Sequence, residues 1–253
     1  MNAFIRNFLE NTTHRLVFRR HLPSPFGDIR LYVTTDGGLR YLKPSLRNVD
    51  PTLLKLVKHY VTTGDTVWDI GANLGLFTFP AARIVGPSGK VISIEPDAWL
   101  ATLLRRSVQL NNVVAQVEVI CTACANSFGV GVFDIAKRSR STNHLEGFGS
   151  TQTGGIRERQ LVPVLPIDAL LANHQPPDII KIDVEGAEIL VLQGATDVLK
   201  NRPILIIEIA SENSEIVKSI LEPLEYIFFD GENLDAGPLP NQLTYTTVAV
   251  PMK

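Results

Sequence analysis

Residues 67–79 read VWDIGANLGLFTF: an apolar run ending in Asp69, a turn Gly71-Ala72-Asn73-Leu74-Gly75, then an apolar segment of helical character. A buried strand that passes through glycines into a helix opens a βαβ unit. Two glycines allow a ligand to approach the backbone, and the helix N-terminus offers unpaired N–H groups to an anion. The dinucleotide pattern G-x-G-x-x-G fails here, because Asn73 stands where its second glycine belongs. The turn therefore suits a nucleoside-bearing ligand without a pyrophosphate.

The neighbouring strand candidate supports that reading. KVISIE (90–95) ends in Glu95, 24 positions after Gly71, at a strand tip where a carboxylate can accept both hydroxyls of a ribose. Further apolar runs follow the same rhythm: TVWDI (66–70), VEVIC (117–121), DIIKID (178–183) and ILIIEI (204–209). Between them LFTFPAARIV, WLATLLRRSVQLN and GAEILVLQGATDVL read as helices. Apolar strands alternating with helices predict a largely parallel sheet covered on both faces. EYIFF (225–229) and LTYTTVAVP (243–251) can close it with an antiparallel pair.

One connection breaks the alternation. FGVGVFDI and RQLVPVL read as two extra strands around KRSRSTNHLEGFGSTQTGGIRE (137–158), a polar stretch without helical period. A loop of that length inside a compact domain is functional or disordered, and we read it as an acceptor-side lid or rim, against a passive insertion. Upstream, Phe4, Ile5, Phe8 and Leu9 recur at helical spacing, and IRLYVTTDGGLRYLKP (29–44) reads as a hairpin about Asp36-Gly37-Gly38. Asp50 as cap and Pro51 at the first helical position start a helix over TLLKLVKHYV. The chain thus divides into a cap, 1–64, and a body, 65–253.

Composition agrees with this plan. The 253 residues are 45% apolar and 20% charged, which fits one large domain or two small ones, and the strand series uses 65–251 for one sheet. Lys and Arg number 24 against 26 Asp and Glu, so no whole-body electrostatic case for nucleic acid exists. Residues 1–48 nonetheless carry +5 and the remainder −7, so the basic cap either faces an acidic partner or is simply solvated. No signal-peptide core and no spanning segment is read, and Cys121 and Cys124 lack the second ligand pair of a zinc site. A cytoplasmic protein is expected.

VWDIGANLGLFTF, SIEPD (93–97) and KIDVEGAE (181–188), with PIDAL (166–170) and LIIEI (205–209), resemble the class I S-adenosylmethionine-dependent methyltransferases, and among them the FkbM-like family. The resemblance covers about residues 26–251. It implies a Rossmann-like α/β fold with a seven-stranded, mostly parallel sheet whose last strand is antiparallel, and S-adenosyl-L-methionine as donor. By the same resemblance Asp69, Gly71, Asn73 and Gly75, with Ala72 in their turn, surround the methionine part, and Glu95 the ribose. Pro96 and Asp97 take the adenosine side, Thr122, Ala123 and Cys124 pass the adenine edge, and Asp183 stands where the methionine end meets the acceptor. Cys124 and Asn126 depart from the family's habit on the adenine side.

For catalysis, Asp183 and Glu185 are the first candidates for a general base because they end a strand where open α/β sheets bind ligands, and His144 in the long loop is a mobile alternative. Lys181 lies in an interior strand and must be paired or have its charged form disfavoured; Glu208 in the neighbouring strand is the expected partner. A divalent ion held by Asp183 and Glu185, completed by Asp168 or Glu208, is chemically reasonable, but spacing alone does not establish it and no metal ligand is assigned. The leading function is methyl transfer to a hydroxyl oxygen of a small molecule or sugar, with no nucleic acid, no transmembrane segment and a possible homodimer through the N-terminal region. Alternatives are N- or nucleic-acid methylation, which lacks its acceptor motif after the fourth strand, and a non-catalytic nucleoside-binding module. An NAD-dependent oxidoreductase is opposed by Asn73 and by the absence of a Tyr-x-x-x-Lys pair.

Overall fold

In the computed structural model the described residues are 16–37, 41, 43, 45–46, 49–111, 117–137, 142–148, 155–240 and 242–252. The helix read over Phe4–Leu9 lies outside them. In chain order the strands are β1 Val17–His21, β2 Arg30–Thr34, β3 Thr66–Ile70, β4 Lys90–Ile94, β5 Val117–Ile120, β6 Ala123–Cys124 and β7 Gly129–Ala136. They continue as β8 His144–Leu145, β9 Ile156–Leu165, β10 Ile179–Ile182, β11 Ile204–Glu208, β12 Tyr226–Asp230 and β13 Thr246–Pro251. The helices are α1 Pro51–Tyr60, α2 Thr78–Val85, α3 Ala98–Leu110, α4 Glu188–Gln193 and α5 Ser214–Leu221.

Seven strands form the central sheet in the order β12-β13-β11-β10-β3-β4-β5. Only β13 runs against its neighbours. The architecture is the Rossmann-like one expected. Every residue of β3 and β10 is buried, as strands covered on both faces must be. Side chains alternate between two cores. Val67, Val91 and Ile179 face one, with Leu31, Leu56, Phe77 and Leu103; Trp68, Ile70, Ile94 and Ile182 face the other, with Leu192, Leu205 and Val217.

The helix starts follow their capping chemistry. Asp50 accepts from Leu53 N at 2.8 Å with Pro51 first in α1, as read, and Asp97 caps α3 through Trp99 N and Leu100 N. The helix read across 186–199 ends at Gln193, where Gly194 packs against backbone: a Cβ there would stand 2.1 Å from the Ala125 carbonyl oxygen.

The first arm of the upstream hairpin is β2, and most of the second arm lies outside the described residues. β2 pairs antiparallel with the preceding β1, Val17 opposite Thr34 and His21 opposite Arg30, while Thr35–Gly37 continues as a buried 3-10 turn. The two basic residues inside VFRRH had masked a strand that needs only its alternate positions covered. β2 docks on α3, Tyr32 N donating to Ser107 Oγ and Arg30 N to Asn111 Oδ1, each at 2.9 Å. Leu31, Val33, Leu56 and Val57 thereby join the same apolar core as Leu74, Phe79 and Leu100.

Between β5 and β10 the described chain has no α-helix. Instead β6, β9, β7 and β8 make a separate four-stranded sheet, with β7 and β9 antiparallel from Gly129 opposite Val164 to Ala136 opposite Ile156. Part of the segment read as a loop is therefore strand β8. No described helix is long and apolar enough to cross a membrane.

Candidate active site

The turn after β3 is held by the chain itself. Gly71 N and Ala72 N both donate to the Ile94 carbonyl at 2.9 Å, Asn73 N donates to Glu95 Oε2 at 2.8 Å, and Gly75 N to the Ala72 carbonyl at 2.8 Å. α2 begins only at Thr78. These four amides are thus engaged within the chain, and three of them tie the turn to the end of β4. The glycines also serve internal packing. Gly71 has φ +80°, and a Cβ there would fall 1.8 Å from the Asp183 carbonyl oxygen; one on Gly75, φ +86°, would strike the Phe79 ring and Leu104.

Beside the turn lies a narrow cavity of about 50 Å³ whose walls include Gly71, Asn73, Glu95, Pro96, Thr122 and Ala123. Asn73 sits at φ +51°, a conformation that asparagine tolerates, and its Oδ1 is sealed from solvent with no hydrogen-bond partner. The Glu95 carboxylate is buried, with Oε1 accepting from Asp97 N and Oε2 from Asn73 N. Burial, with the Asp97 charge beside it, pushes its pKa up to about 8 against the pull of those two amides. Cys124 is also in the wall, and burial pushes its thiol up to about 12.

Four residues expected at the donor do not border this cavity. Asp97 is fully buried, one oxygen capping α3 and Oδ2 accepting from Asn143. Asp69 lies beneath the turn, where it accepts from the Thr78 hydroxyl and faces Lys181, and Gly75 packs inside α2. Ala72 borders a different cavity, described below.

Lys181 is buried, and its ammonium donates to the Gly71 carbonyl at 2.8 Å and to Asp183 Oδ2 at 3.1 Å, with Asp69 Oδ1 at 3.4 Å. These neighbours raise its pKa against burial. The expected Lys181–Glu208 pair does not form. Register explains this: Lys181 lies opposite Asp69 on β3 and opposite Ile206 on β11, so Glu208 sits two residues further along its strand. Glu208 instead accepts from the Tyr245 hydroxyl at 2.7 Å, and burial with the Asp183 charge pushes it up to about 7.

Asp183 and Glu185 border the donor-side cavity and two further ones. A cleft of about 540 Å³ adds Glu188, Glu208, Ser214 and Tyr245; a polar one of about 310 Å³ adds Ala72, Tyr41, Asp50 and Leu53, the last three from the cap. Glu185 has φ +51° and no hydrogen bond or ion pair among the described residues. Burial, then the charges of Asp183, Glu208 and Glu188, pushes its carboxyl up to about 8. The arrangement joins the narrow cavity to the two larger clefts through one strand end.

Residues 69–235 match the family model of the methyltransferase FkbM domain. The chain belongs to the FkbM methyltransferase family. Among curated relatives it is similar to methyltransferase sdnD of Sordaria araneosa, 26% identical over 51% of this chain and 60% of that protein. It is also similar to hexuronic acid methyltransferase AglP of Haloferax volcanii, 23% identical over 62% of this chain and 61% of that protein. The chain thus spans about three-fifths of the length of these relatives. The fold is shared with a crystal structure of methyltransferase FkbM from Methylobacillus flagellatus, at TM-score 0.50 and 18% identity over 74% of this chain and 43% of that one. P. horikoshii TYW2, solved in complex with MeSAdo, has TM-score 0.50 at 15% identity over 92% of this chain and 69% of that one.

Within this FkbM-family chain, His144 borders none of these three cavities. It is buried in β8, Nδ1 3.0 Å from the Thr142 carbonyl and Nε2 3.9 Å from Asp134 Oδ2, whereas Asn143 and Leu145 on either side border the donor-side cavity. Strand alternation turns it away. Asp168 lies elsewhere, accepting from Thr196 Oγ1 and from the amides of Asp197 and Val198, and no metal-ligating cluster of three or more side chains occurs among the described residues. Sequence reasoning did not single out Phe133, Asn143 and Leu145 in the wall of the narrow cavity or Tyr245 in the larger clefts. For Tyr245 a signal existed, since LTYTT leads into the strand that pairs with ILIIEI.

Proposed function

We propose that this methyltransferase uses S-adenosyl-L-methionine to methylate a hydroxyl oxygen of a small molecule or sugar. The observation that carries the reading is the placement of Asp183 and Glu185 on the common border of the donor-side cavity and the larger clefts, with Glu185 unpaired. When bound, the donor supplies an electrophilic methyl on sulfur. The residues present fit it: Asn73 carries an unpaired buried oxygen, Glu95 keeps acceptor capacity for ribose hydroxyls, and nothing in the turn calls for a pyrophosphate. Asn73 and Asp183 would hold the methionyl end.

On the acceptor side, Glu185 takes the proton of the attacking hydroxyl, and Lys181 fixes the Asp183 carboxylate beside it. Asp183, Glu185, Glu188 and Glu208 border the clefts, with Lys181 the only Lys or Arg among their described lining residues. Such a wall favours an uncharged hydroxyl over a carboxylate acceptor. The relative AglP is named for a hexuronic acid, a sugar that also carries a carboxylate, so the acceptors to try include both neutral and uronic sugars.

The test is methyl transfer to a panel of hydroxylated acceptors, read by mass spectrometry. Glu185→Gln should lower kcat by roughly 10²–10⁴-fold while retaining affinity for the product S-adenosylhomocysteine. A base must be ionised, so activity of the natural chain should rise with pH through about 8, the value to which Glu185 is pushed, and the variant should lose that limb. Full kcat in Glu185→Gln removes the assigned base, and methyl found on nitrogen removes the hydroxyl reading.

A further inference from the structure

The walls of the donor-side cavity come from two sheets. Gly71, Asn73, Glu95 and Pro96 belong to turns at the edge of the central sheet, whereas Phe133, Asn143 and Leu145 come from the insertion sheet between β5 and β10. Phe133 and Leu145 lie opposite each other in the β7–β8 pairing, so their side chains share one face, and that face borders the cavity. Asn143, beside them, is buried and uses both ends of its carboxamide. Its Oδ1 accepts from Ala136 N at 2.8 Å, and its Nδ2 donates to Asp97 Oδ2 at 2.9 Å.

This is the final link of a continuous polar chain. Asn73 N and Asp97 N both donate to the Glu95 carboxylate, the Asp97 carboxylate caps α3, and Asn143 joins that carboxylate to β7. Only a neutral donor can close such a chain beside two carboxylates without adding charge. The cavity bordered by these residues, about 50 Å³, is far below the ~300–1,000 Å³ of ligand pockets, so a nucleoside seated there either displaces a wall or extends into the adjoining clefts. The central-sheet walls are fixed by the β3–β4 ladder and the Gly71–Asp183 contact, which leaves the insertion as the wall that can yield.

We infer that the insertion sheet is a donor clamp: Phe133 and Leu145 cover the base of the adenosyl donor, and Asn143 is the positioning residue that latches them to Asp97. The inference rests on the donor reading given above, and it moves the insertion from the acceptor rim, where the sequence had put it, to the donor side. The latch makes donor release require breaking the Asn143–Asp97 bond, so it acts on dissociation.

S-adenosylhomocysteine is the probe, with calorimetry for affinity, stopped-flow for dissociation and hydrogen exchange over β7 and β8. In the natural chain the probe should increase amide protection in β7 and β8. Asn143→Ala should release the probe about tenfold faster, the loss of one buried hydrogen bond to a charged acceptor. Leu145→Ala, which leaves the latch intact, should weaken binding without the same gain in release rate, and it keeps the test open should Asn143→Ala fail to fold by apo melting. A merely structural asparagine would lower the melting temperature and leave the release rate unchanged. Release within twofold of the natural chain in Asn143→Ala, or unchanged β7–β8 protection when the probe binds, overturns the clamp alone. A natural chain that does not bind the probe overturns the donor reading and the clamp with it.

Discussion

Replacing Lys181 with methionine tests whether the buried charge cluster under the site is architectural or catalytic. Lys181→Met keeps length and apolar stem and deletes the ammonium, which now lies 3.4 Å from Asp69, 3.1 Å from Asp183 and 2.8 Å from the Gly71 carbonyl. At an effective dielectric near 20, the attraction across 3.4 Å is about 5 kcal/mol, and breaking a buried pair by deleting one partner costs about 3–5 kcal/mol. Asp183 is 27% exposed and can be rehydrated, whereas Asp69 is fully buried and keeps only the Thr78 hydroxyl. The cost therefore falls on Asp69, and we expect a loss of about 3 kcal/mol by urea denaturation. Adding Asp69→Asn should recover most of the stability. Methyl transfer should stay depressed, since Asp183 has lost the group that aims it. A single variant within 1 kcal/mol of the natural chain, or a double variant that recovers both stability and kcat, would refute this account.

Glu95→Ala should weaken S-adenosylhomocysteine binding by about 1–3 kcal/mol and also lower the melting temperature, because Asn73 N and Asp97 N lose their common acceptor; calorimetry and a melt check both. Gly71→Ala places a side chain at φ +80° and 1.8 Å from the Asp183 carbonyl oxygen, which should cost about 2–4 kcal/mol and abolish probe binding, read by denaturation and titration. The ligand-free protein should lose stability as pH rises from about 5 to 8.5. Glu95 and Glu185 are pushed from 4.5 to about 8 in the folded chain, so over that range the unfolded state ionises them more readily, and melts across pH with Glu95→Gln flattening the trend would check it.

The parts of the fold legible in the sequence are those written in local patterns. TVWDI, KVISIE, DIIKID and ILIIEI announce buried parallel strands by unbroken apolar runs, and Asp50-Pro51 announces a helix start. What was not legible depends on register between distant segments. KID shows that Lys181 needs a partner, but only the offset of β10 against β3 and β11 selects Asp69 over Glu208. The glycines of the turn looked like concessions to a ligand, but the demand on Gly71 comes from Asp183, 112 residues later, and that on Gly75 from Phe79 and Leu104. His144 and Leu145 carry no local signal that assigns them to opposite faces of a two-residue strand.

These register effects bear on how the site would act. Asp183 N donates to the Ile70 carbonyl, its own carbonyl rests on Gly71 Cα, its carboxylate accepts from Lys181, and Lys181 returns to the Gly71 carbonyl. The turn that borders the donor side and the acid that borders the acceptor side are thus one closed ring of contacts, built from two adjacent strand ends. Alignment of an acceptor oxygen with a transferable methyl tolerates little displacement. A ring of this kind sets that alignment when the chain folds, before either ligand arrives. Substitutions within the ring should therefore lower kcat more than they raise KM for the acceptor, whereas those in the cap wall at Tyr41 and Leu53 should chiefly alter KM.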